Sequence, residues 1–453
     1  MFSHDFTFSD DIIDPGFKMY EQILKFAVHK LRIPMNLVRI LLLFLSFWSF
    51  AQISAQDKEF AKRIIAELSS AELHGRGYYE NGVNRAADLI VDYLKDLKIN
   101  PLNASFKQEF DFDINTFPKN LIVKIDDVEL KPATDFFIEP NSGPAKGTFN
   151  VLRINDNLVD TISYLDSLKK LDLSSTFLVS GKSNNRNSNL FALNARGYIF
   201  TSKSLYWRLS GSNVQKKYTS LVISDSIIPL TAKTITVDIE PKFLSSFKNN
   251  NVLATIPAVE QSDSFMVFTA HYDHLGIMGP NCMFPGANDN ASGVAMLLEL
   301  GKYFSANPLQ NYNIALMFFA AEEVGLYGSQ HYVANPIFPL KNISCLINFD
   351  MVGTGSGGLA IVNGKANNRI TSVIQNLNAE HQWFSDIRIG GASCSSDHCY
   401  FAKENVPAIF LFTRGEEHRF YHVPQDRAEI LPLTKWHELQ SLVITLSRQW
   451  EEN

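Results

Sequence analysis

Acids and histidines follow four of the apolar runs in this 453-residue chain. Phe265 to Ala270 runs into His271-Tyr272-Asp273-His274, Ile314 to Ala321 into Glu322-Glu323, and Leu346 to Phe349 into Asp350. Ala408 to Phe412 leads through a loop to Tyr421-His422, and a further acid, Asp289, sits where the loop Gly286-Ala287-Asn288-Asp289-Asn290-Ala291-Ser292-Gly293 turns into a helix. In open α/β sheets, ligands gather beyond the carboxyl ends of the strands, so five such groups point to one rim. Mixed imidazole and carboxylate donors suit zinc, at bonds of about 2.0–2.2 Å. Two ions about 3.5–4 Å apart need a bridging carboxylate and a shared water. Asp289, with small neighbours that allow close approach, is the natural bridge; His271 and Asp350 would hold one ion, Glu323 and His422 the other. Asp273 lies two residues from His271 on the same side of an extended segment, where it can orient that ring. Of the adjacent Glu322 and Glu323, one can bind metal while its neighbour takes a proton from the water as general base.

Other residues compete for these roles. His274 adjoins the first motif but has the wrong parity relative to His271 in an extended segment. His331, His418 and His437 read as surface or satisfied histidines. Glu416 and Glu417 fit either a contact to a substrate amine or a solvated acidic turn, and Tyr421 either faces an oxyanion or packs. Asn103, Asn290 and Asn342 start N-x-S/T sequons, but a glycan on Asn290 would be incompatible with the site, so the sequons read as chance.

The elements that must position these groups show in the apolar patterning. Val252 to Ile256, Phe265 to Ala270, Ile314 to Ala320, Leu346 to Phe349, Leu359 to Val362 and Ala408 to Phe412 are nearly continuous apolar runs, as expected of strands buried on both faces of a largely parallel sheet. Helical spacing appears at Lys58 to Leu68, Asn84 to Leu97, Ala291 to Phe304, Ile370 to His381 and Thr434 to Trp450. This alternation predicts an α/β three-layer sandwich with a mostly parallel mixed central sheet. Residues 118–235 differ: short β-prone pieces (Leu121 to Ile125, Thr148 to Ile154, Ser175 to Val179, Gly197 to Thr201) alternate with Asn, Ser, Asp and Gly clusters, predicting an inserted small β-rich domain. The catalytic-type domain then comprises 57–117 and 236–453. Gly353-Thr354-Gly355-Ser356-Gly357-Gly358 lacks dinucleotide-fingerprint spacing and reads as a flexible loop.

Ile40 to Phe50, with Arg39 before it and small residues after it, has the pattern of a signal peptide over 35–51; Met35 as the start would make residues 1–34 an upstream extension. The run is shorter than the ~20 residues of a spanning helix. The expected location is therefore secreted or periplasmic, with no stable membrane association after cleavage. A net charge of −6 gives no basic footprint for nucleic acid. The four cysteines, Cys282, Cys345, Cys394 and Cys399, form no C-x-x-C pair, so they read as structural thiols, or as one local disulfide between Cys394 and Cys399.

Taken together, His271 to Gly276, Gly286 to Gly293, Glu322 to Ser329, Asn348 to Gly353 and Tyr421-His422 through Asp426 resemble the co-catalytic zinc peptidases of clan MH, which include aminopeptidases, glutamate carboxypeptidases and glutaminyl cyclases. The resemblance spans roughly 251–450, with a weaker match at Leu73 to Pro101 around Gly75-Arg76-Gly77. It implies two Zn2+ ions on His271, Asp289, Glu323, Asp350 and His422, with Glu322 rather than Glu323 as the base, and a peptide substrate. It also implies that Ser396-Asp397-His398 lies beside the site, with Asp397 in support and His398 not a ligand. Relatives carry a protease-associated domain where 118–235 lies. Removal of an N-terminal residue is the expected reaction. The alternatives are aminoacyl transfer of the glutaminyl cyclase type, and a binding or receptor homologue without activity.

Overall fold

The buried residues of Phe265–His271 fall on both faces of their strand. Phe268 and Ala270 join one apolar cluster while Val267 joins another. That two-sided burial is what a continuous apolar run demands, and it sets three layers. In the computed structural model, which describes residues 58–159, 161–181 and 188–452, the central sheet runs in the order Asn100–Pro101, Lys242–Ile256, Asn313–Phe319, Phe265–His271, Ile343–Phe349, Ala408–Thr413, Leu359–Val362, Ile387–Ile389. The middle four strands are mutually parallel, and their outer neighbours Lys242–Ile256 and Leu359–Val362 are antiparallel to them. The sheet is thus mixed and parallel at its centre, as the apolar runs predict. The expected signal segment over 35–51 and the extension over 1–34 lie outside the described residues.

One face of the sheet is covered by Gly82–Asp96, Ser292–Ala306, Asn368–His381 and Trp436–Glu452, whose buried residues join the larger cluster. The opposite face carries the shorter Tyr327–Ala334 and His398–Lys403, through Tyr332 and Phe401. Gly82–Asp96 shows why these segments are helical: Ala86, Ala87, Ile90, Val91 and Leu94 recur on one buried stripe, the spacing that turns a single face to the core. Among the described residues, no helix is long and apolar enough to cross a membrane.

The long strand Lys107–Thr116 pairs with Lys242–Ile256, and between them the chain builds a second sheet of eight strands, from Leu121–Ile125 to Thr234–Ile239. Its last strand runs past residue 235. Four of its strands, Ala145–Arg153, Thr176–Ser180, Gly197–Ser202 and Thr219–Ser224, are parallel. Parallel neighbours need crossover connections, and the helices Ile162–Lys169 and Ser188–Phe191 lie within them, so this region is mixed α/β rather than purely β. Leu178 and Tyr198 point into a small core of its own. Phe177, Val179 and Ile199, on the other face, join the main core.

Candidate metal centre

His271 ends its strand, Asp350 follows Ile343–Phe349, and Glu322 and Glu323 follow Asn313–Phe319. These three strands are parallel neighbours, so their carboxyl ends share one rim. Asp289 comes to it from the turn Ala287–Ala291 that leads into Ser292–Ala306. Its carboxylate has one oxygen 3.3 Å from His271 Nε2 and the other 3.1 Å from His422 Nε2. His271 Nε2 also lies 3.4 Å from Asp350 Oδ1, and His422 Nε2 lies 3.2 Å from Glu323 Oε2. The five side chains predicted as ligands therefore converge, all buried to 8% exposure or less, with Asp289 central and a histidine and a second carboxylate on each side of it.

Both rings face the same way for the same reason. His271 Nδ1 donates to the Asp273 backbone carbonyl at 3.2 Å, and His422 Nδ1 donates to the Trp207 carbonyl at 2.6 Å. A proton fixed on Nδ1 leaves Nε2 as the metal-binding nitrogen of a neutral imidazole. Burial opposes charge on both rings, yet the acids facing them, Asp350 and Glu322 for His271, Glu323 and Asp289 for His422, hold both pKa values well above the usual imidazole range. In Glu323, burial is outweighed by His422 and by hydrogen bonds from His274 and His422, which bring it down to about 2. Glu322 shows the opposite balance: burial, Glu323, Asp350 and Asp397 push its carboxyl well up, against the pull of His271. Adjacent carboxyls are thus driven apart, one toward the anion and one toward a greater affinity for a proton, the contrast from which separate acid–base roles arise. Two imidazoles and three carboxylates crowded in this way are a donor set that fits zinc.

Two expectations need correction. His274, excluded on strand parity, does reach the site: its Nδ1 donates to Glu323 Oε1 at 2.8 Å, and its buried Nε2 has no hydrogen-bond partner. The strand ends at His271 and residues 272–275 belong to no strand, so alternation no longer applies. Together with Asp289 and Glu323, His274 forms a second group able to hold an ion, beside that of His271, Asp289 and Asp350. Asp273 orients His271 mainly through its backbone carbonyl, since its carboxylate lies 3.7 Å from Nδ1. That carboxylate instead accepts from Glu322 N at 3.1 Å, Glu323 N at 3.3 Å and Tyr78 Oη at 2.9 Å, fixing the turn that carries both glutamates.

The loop around Asp289 depends on residues with weaker sequence signals. Asp426, buried and held by His418 Nε2 at 2.7 Å, accepts from Asn288 N and Asp289 N. Gly286 has φ +63, and a Cβ there would meet Asp289 O at 2.2 Å and the His274 ring at 2.4 Å, so only glycine fits. Asn290, the middle sequon, is fully buried and donates to Phe349 O. Arg76, wholly buried, donates to five carbonyls: Leu68 and Tyr272 at 2.8 Å, Pro285 and Gly286 at 2.7 Å, and Asp289 at 3.1 Å. Burial lowers its pKa to about 10, opposed by Asp289, Asp426, Asp273 and Glu323; at neutral pH it remains a cation beneath an acid-rich rim.

Ser396 Oγ donates to Asp350 Oδ2 at 2.9 Å and accepts from Asn348 Nδ2. Asp397 is buried beside it, pushed up to about 7 by burial with Asp273 and Asp350 adding to the shift. Cys394 and Cys399 are disulfide-bonded across this segment, while Cys282 and Cys345 are free. Glu417 accepts from Ser356 N, and Glu416 pairs with Arg419, so both have partners outside the ligand cluster. The loop 353–358, expected to be flexible, is tied down: Gly353 N donates to Asn288 Oδ1, Thr354 bonds Thr413, and Gly357 N donates to Arg414 O. Tyr421 stacks on His422 with ring centroids 3.8 Å apart, which supplies its packing role.

Residues 251–447 match peptidase family M28. Aminopeptidase YwaD of Bacillus subtilis is 32% identical over 187 residues, 39% of this chain and 38% of that protein. A vacuolar membrane protease of Candida dubliniensis is 34% identical over 119 residues, 26% of this chain and 12% of that protein. The chain thus spans well under two thirds of the length of these curated relatives. Among solved structures, a zinc aminopeptidase from Bacillus subtilis shares the fold over 87% of this chain and 94% of its own, with a TM-score of 0.65 at 20% identity. The overlap reaches well beyond 251–447, so the likeness includes much of the inserted sheet. The part of the chain that carries all five predicted ligands, residues 251–447, is therefore the part that is similar to peptidase family M28.

Proposed function

We propose that this protein is a zinc-dependent aminopeptidase that acts outside the cytosol. The observation that carries the proposal is the Asp289 carboxylate, whose two oxygens each face a histidine that is itself backed by a second acid. In this reading His271 and Asp350 would hold one ion, Glu323 and His422 the other, and Asp289 would serve both, with His274 orienting Glu323. Zinc bound there supplies Lewis acidity toward a peptide carbonyl and toward water. The chain's own residues do the rest. Glu322, beside the ligands but with a raised pKa, takes the proton from the attacking water and hands it to the departing amine. The Asp273 carboxylate keeps Glu322 in place through its backbone N–H. The relatives named as aminopeptidases support removal of an N-terminal residue, and the Cys394–Cys399 disulfide supports an oxidising compartment. We take the inserted sheet to be a divergent protease-associated domain that limits substrate size.

Purified protein should be assayed on aminoacyl-anilides and on N-blocked peptides, with zinc and after chelation. Hydrolysis of free N-termini only, lost on chelation and restored by zinc, is expected. Cyclisation of N-terminal glutamine in place of hydrolysis would move the protein to aminoacyl transfer. Glu322→Gln should keep its zinc yet lose turnover by about 10²–10⁴-fold; near-normal rates would remove Glu322 from the mechanism.

A further inference from the structure

His422 stands apart from the other predicted ligands in where its second nitrogen goes. His271 finds its Nδ1 acceptor two residues away, at the Asp273 carbonyl. The Nδ1 acceptor of His422 is Trp207, 215 positions distant in the inserted sheet's portion of the chain. One residue makes both contacts: His422 Nδ1 donates to Trp207 O at 2.6 Å, and Trp207 N donates to His422 O at 3.2 Å. The backbone of His422 is left-handed, φ +55, a conformation uncommon for a non-glycine residue.

Trp207 is itself fixed. It is 3% exposed, its indole N–H donates to Ile138 O at 2.8 Å, and its ring centroid lies 5.0 Å from that of Phe284, just ahead of the Asp289 loop. Next to it, Tyr206 approaches Tyr421 at 6.0 Å, and Tyr421 stacks on His422. A segment between the strands Gly197–Ser202 and Thr219–Ser224 thus grips the loop that presents His422.

We propose that Trp207 is a positioning residue of the metal centre, so that the inserted region builds the His422 side of the site and does more than restrict access to it. The proposal rests on the zinc reading given above. The Trp207 carbonyl fixes the Nδ1–H tautomer and the heading of the ring, leaving Nε2 aimed between Asp289 and Glu323. Outer partners of this kind typically contribute tenfold to hundredfold to metal affinity. Among the described residues, no hydrogen bond joins the inserted region to His271 or Asp350, so the two zinc equivalents should respond differently once Trp207 is no longer anchored.

The test is zinc binding by equilibrium dialysis against metal buffers, with elemental analysis, on wild type and Trp207→Ala, which keeps the carbonyl but removes the indole that anchors it through Ile138 O and Phe284. Wild type should bind two equivalents. In the variant, one should weaken by roughly tenfold to hundredfold while the other stays within about threefold. Both equivalents unchanged, or both weakened alike in a protein that still melts cooperatively, would overturn the proposal and leave the zinc reading standing. A wild type that binds no zinc would overturn both. Should Trp207→Ala not fold, histidine-selective 15N spectra of zinc-loaded wild type decide, with His422 assigned through His422→Gln. A proton on Nδ1 with Nε2 in the metal-bound range is expected; a metal-bound or unprotonated Nδ1 would overturn it.

Discussion

Replacing Arg76 by methionine should be among the most damaging single changes outside the predicted ligands. The side chain is wholly buried and serves five carbonyls, of which Leu68 ends the helical segment begun at Lys58, Tyr272 follows a strand end, and Pro285, Gly286 and Asp289 belong to the loop of the central acid. Hydrogen bonds from a charged donor contribute about 1.5–3 kcal/mol each, but they are not additive, and water can rescue some of the acceptors. Removing a buried charge from among its partners costs about 3–5 kcal/mol, which is the range we adopt. With an unfolding entropy of about 2.1 cal/mol/K per residue over roughly 390 residues, that predicts a fall in Tm of about 4–6 °C. Arg76→Lys should recover little, since one ammonium with three donors cannot span five acceptors. Thermal unfolding followed by circular dichroism reads the effect. A methionine variant melting within about 1 °C of wild type would show that the five contacts carry no net stability.

Asp426→Ala frees two N–H groups of the Asp289 loop and should weaken zinc binding by about tenfold to hundredfold, measured by competition with a chromogenic chelator; unchanged affinity would mean the loop holds its shape unaided. Glu417 carries a pH signature. Partial burial would raise its pKa, but hydrogen bonds from Ser356 and Thr434 bring it from 4.5 to about 2. A depressed folded value stabilises above the unfolded one and is lost as pH falls, so the Tm gap between wild type and Glu417→Gln should be present at pH 6 and close between 4.5 and about 2. Alkylation with iodoacetamide should modify almost no thiol in the native protein at pH 8, because burial pushes both Cys282 and Cys345 up to about 12. After unfolding it should modify two thiols without reductant and four with it; four without reductant would rule out the Cys394–Cys399 bond.

The strands were legible because a sheet buried on both faces must be written in nearly unbroken apolar residues: Leu359–Val362 and Leu121–Ile125 fall where expected to the residue. The rim was legible because acids and histidines at the ends of such runs stand out against them. What escaped has a common physical cause. Arg76 and Asp426 lay within the motifs quoted, and His418 is the satisfied histidine expected, but the contacts that Arg76, Asp426 and Trp207 make run through main-chain N–H or C=O groups, which leave no mark in the sequence. The placement of His274 was misjudged because alternation along a strand says nothing once the strand has ended. The helices Ile162–Lys169 and Ser188–Phe191 in the inserted sheet were missed because they are short and lie among polar clusters that read as turns.

The chain leaves the central layer along Lys107–Thr116 and returns along Lys242–Ile256, and these two segments are hydrogen-bonded neighbours, with Thr116 opposite Lys242. A loop whose feet already touch can be lengthened, shortened or exchanged without stretching the scaffold that bears it, since closure costs grow only slowly with length. A tight turn could join the feet in its place. The host layer would tolerate such a graft; the ring of His422 would be left to find another oxygen to lean on.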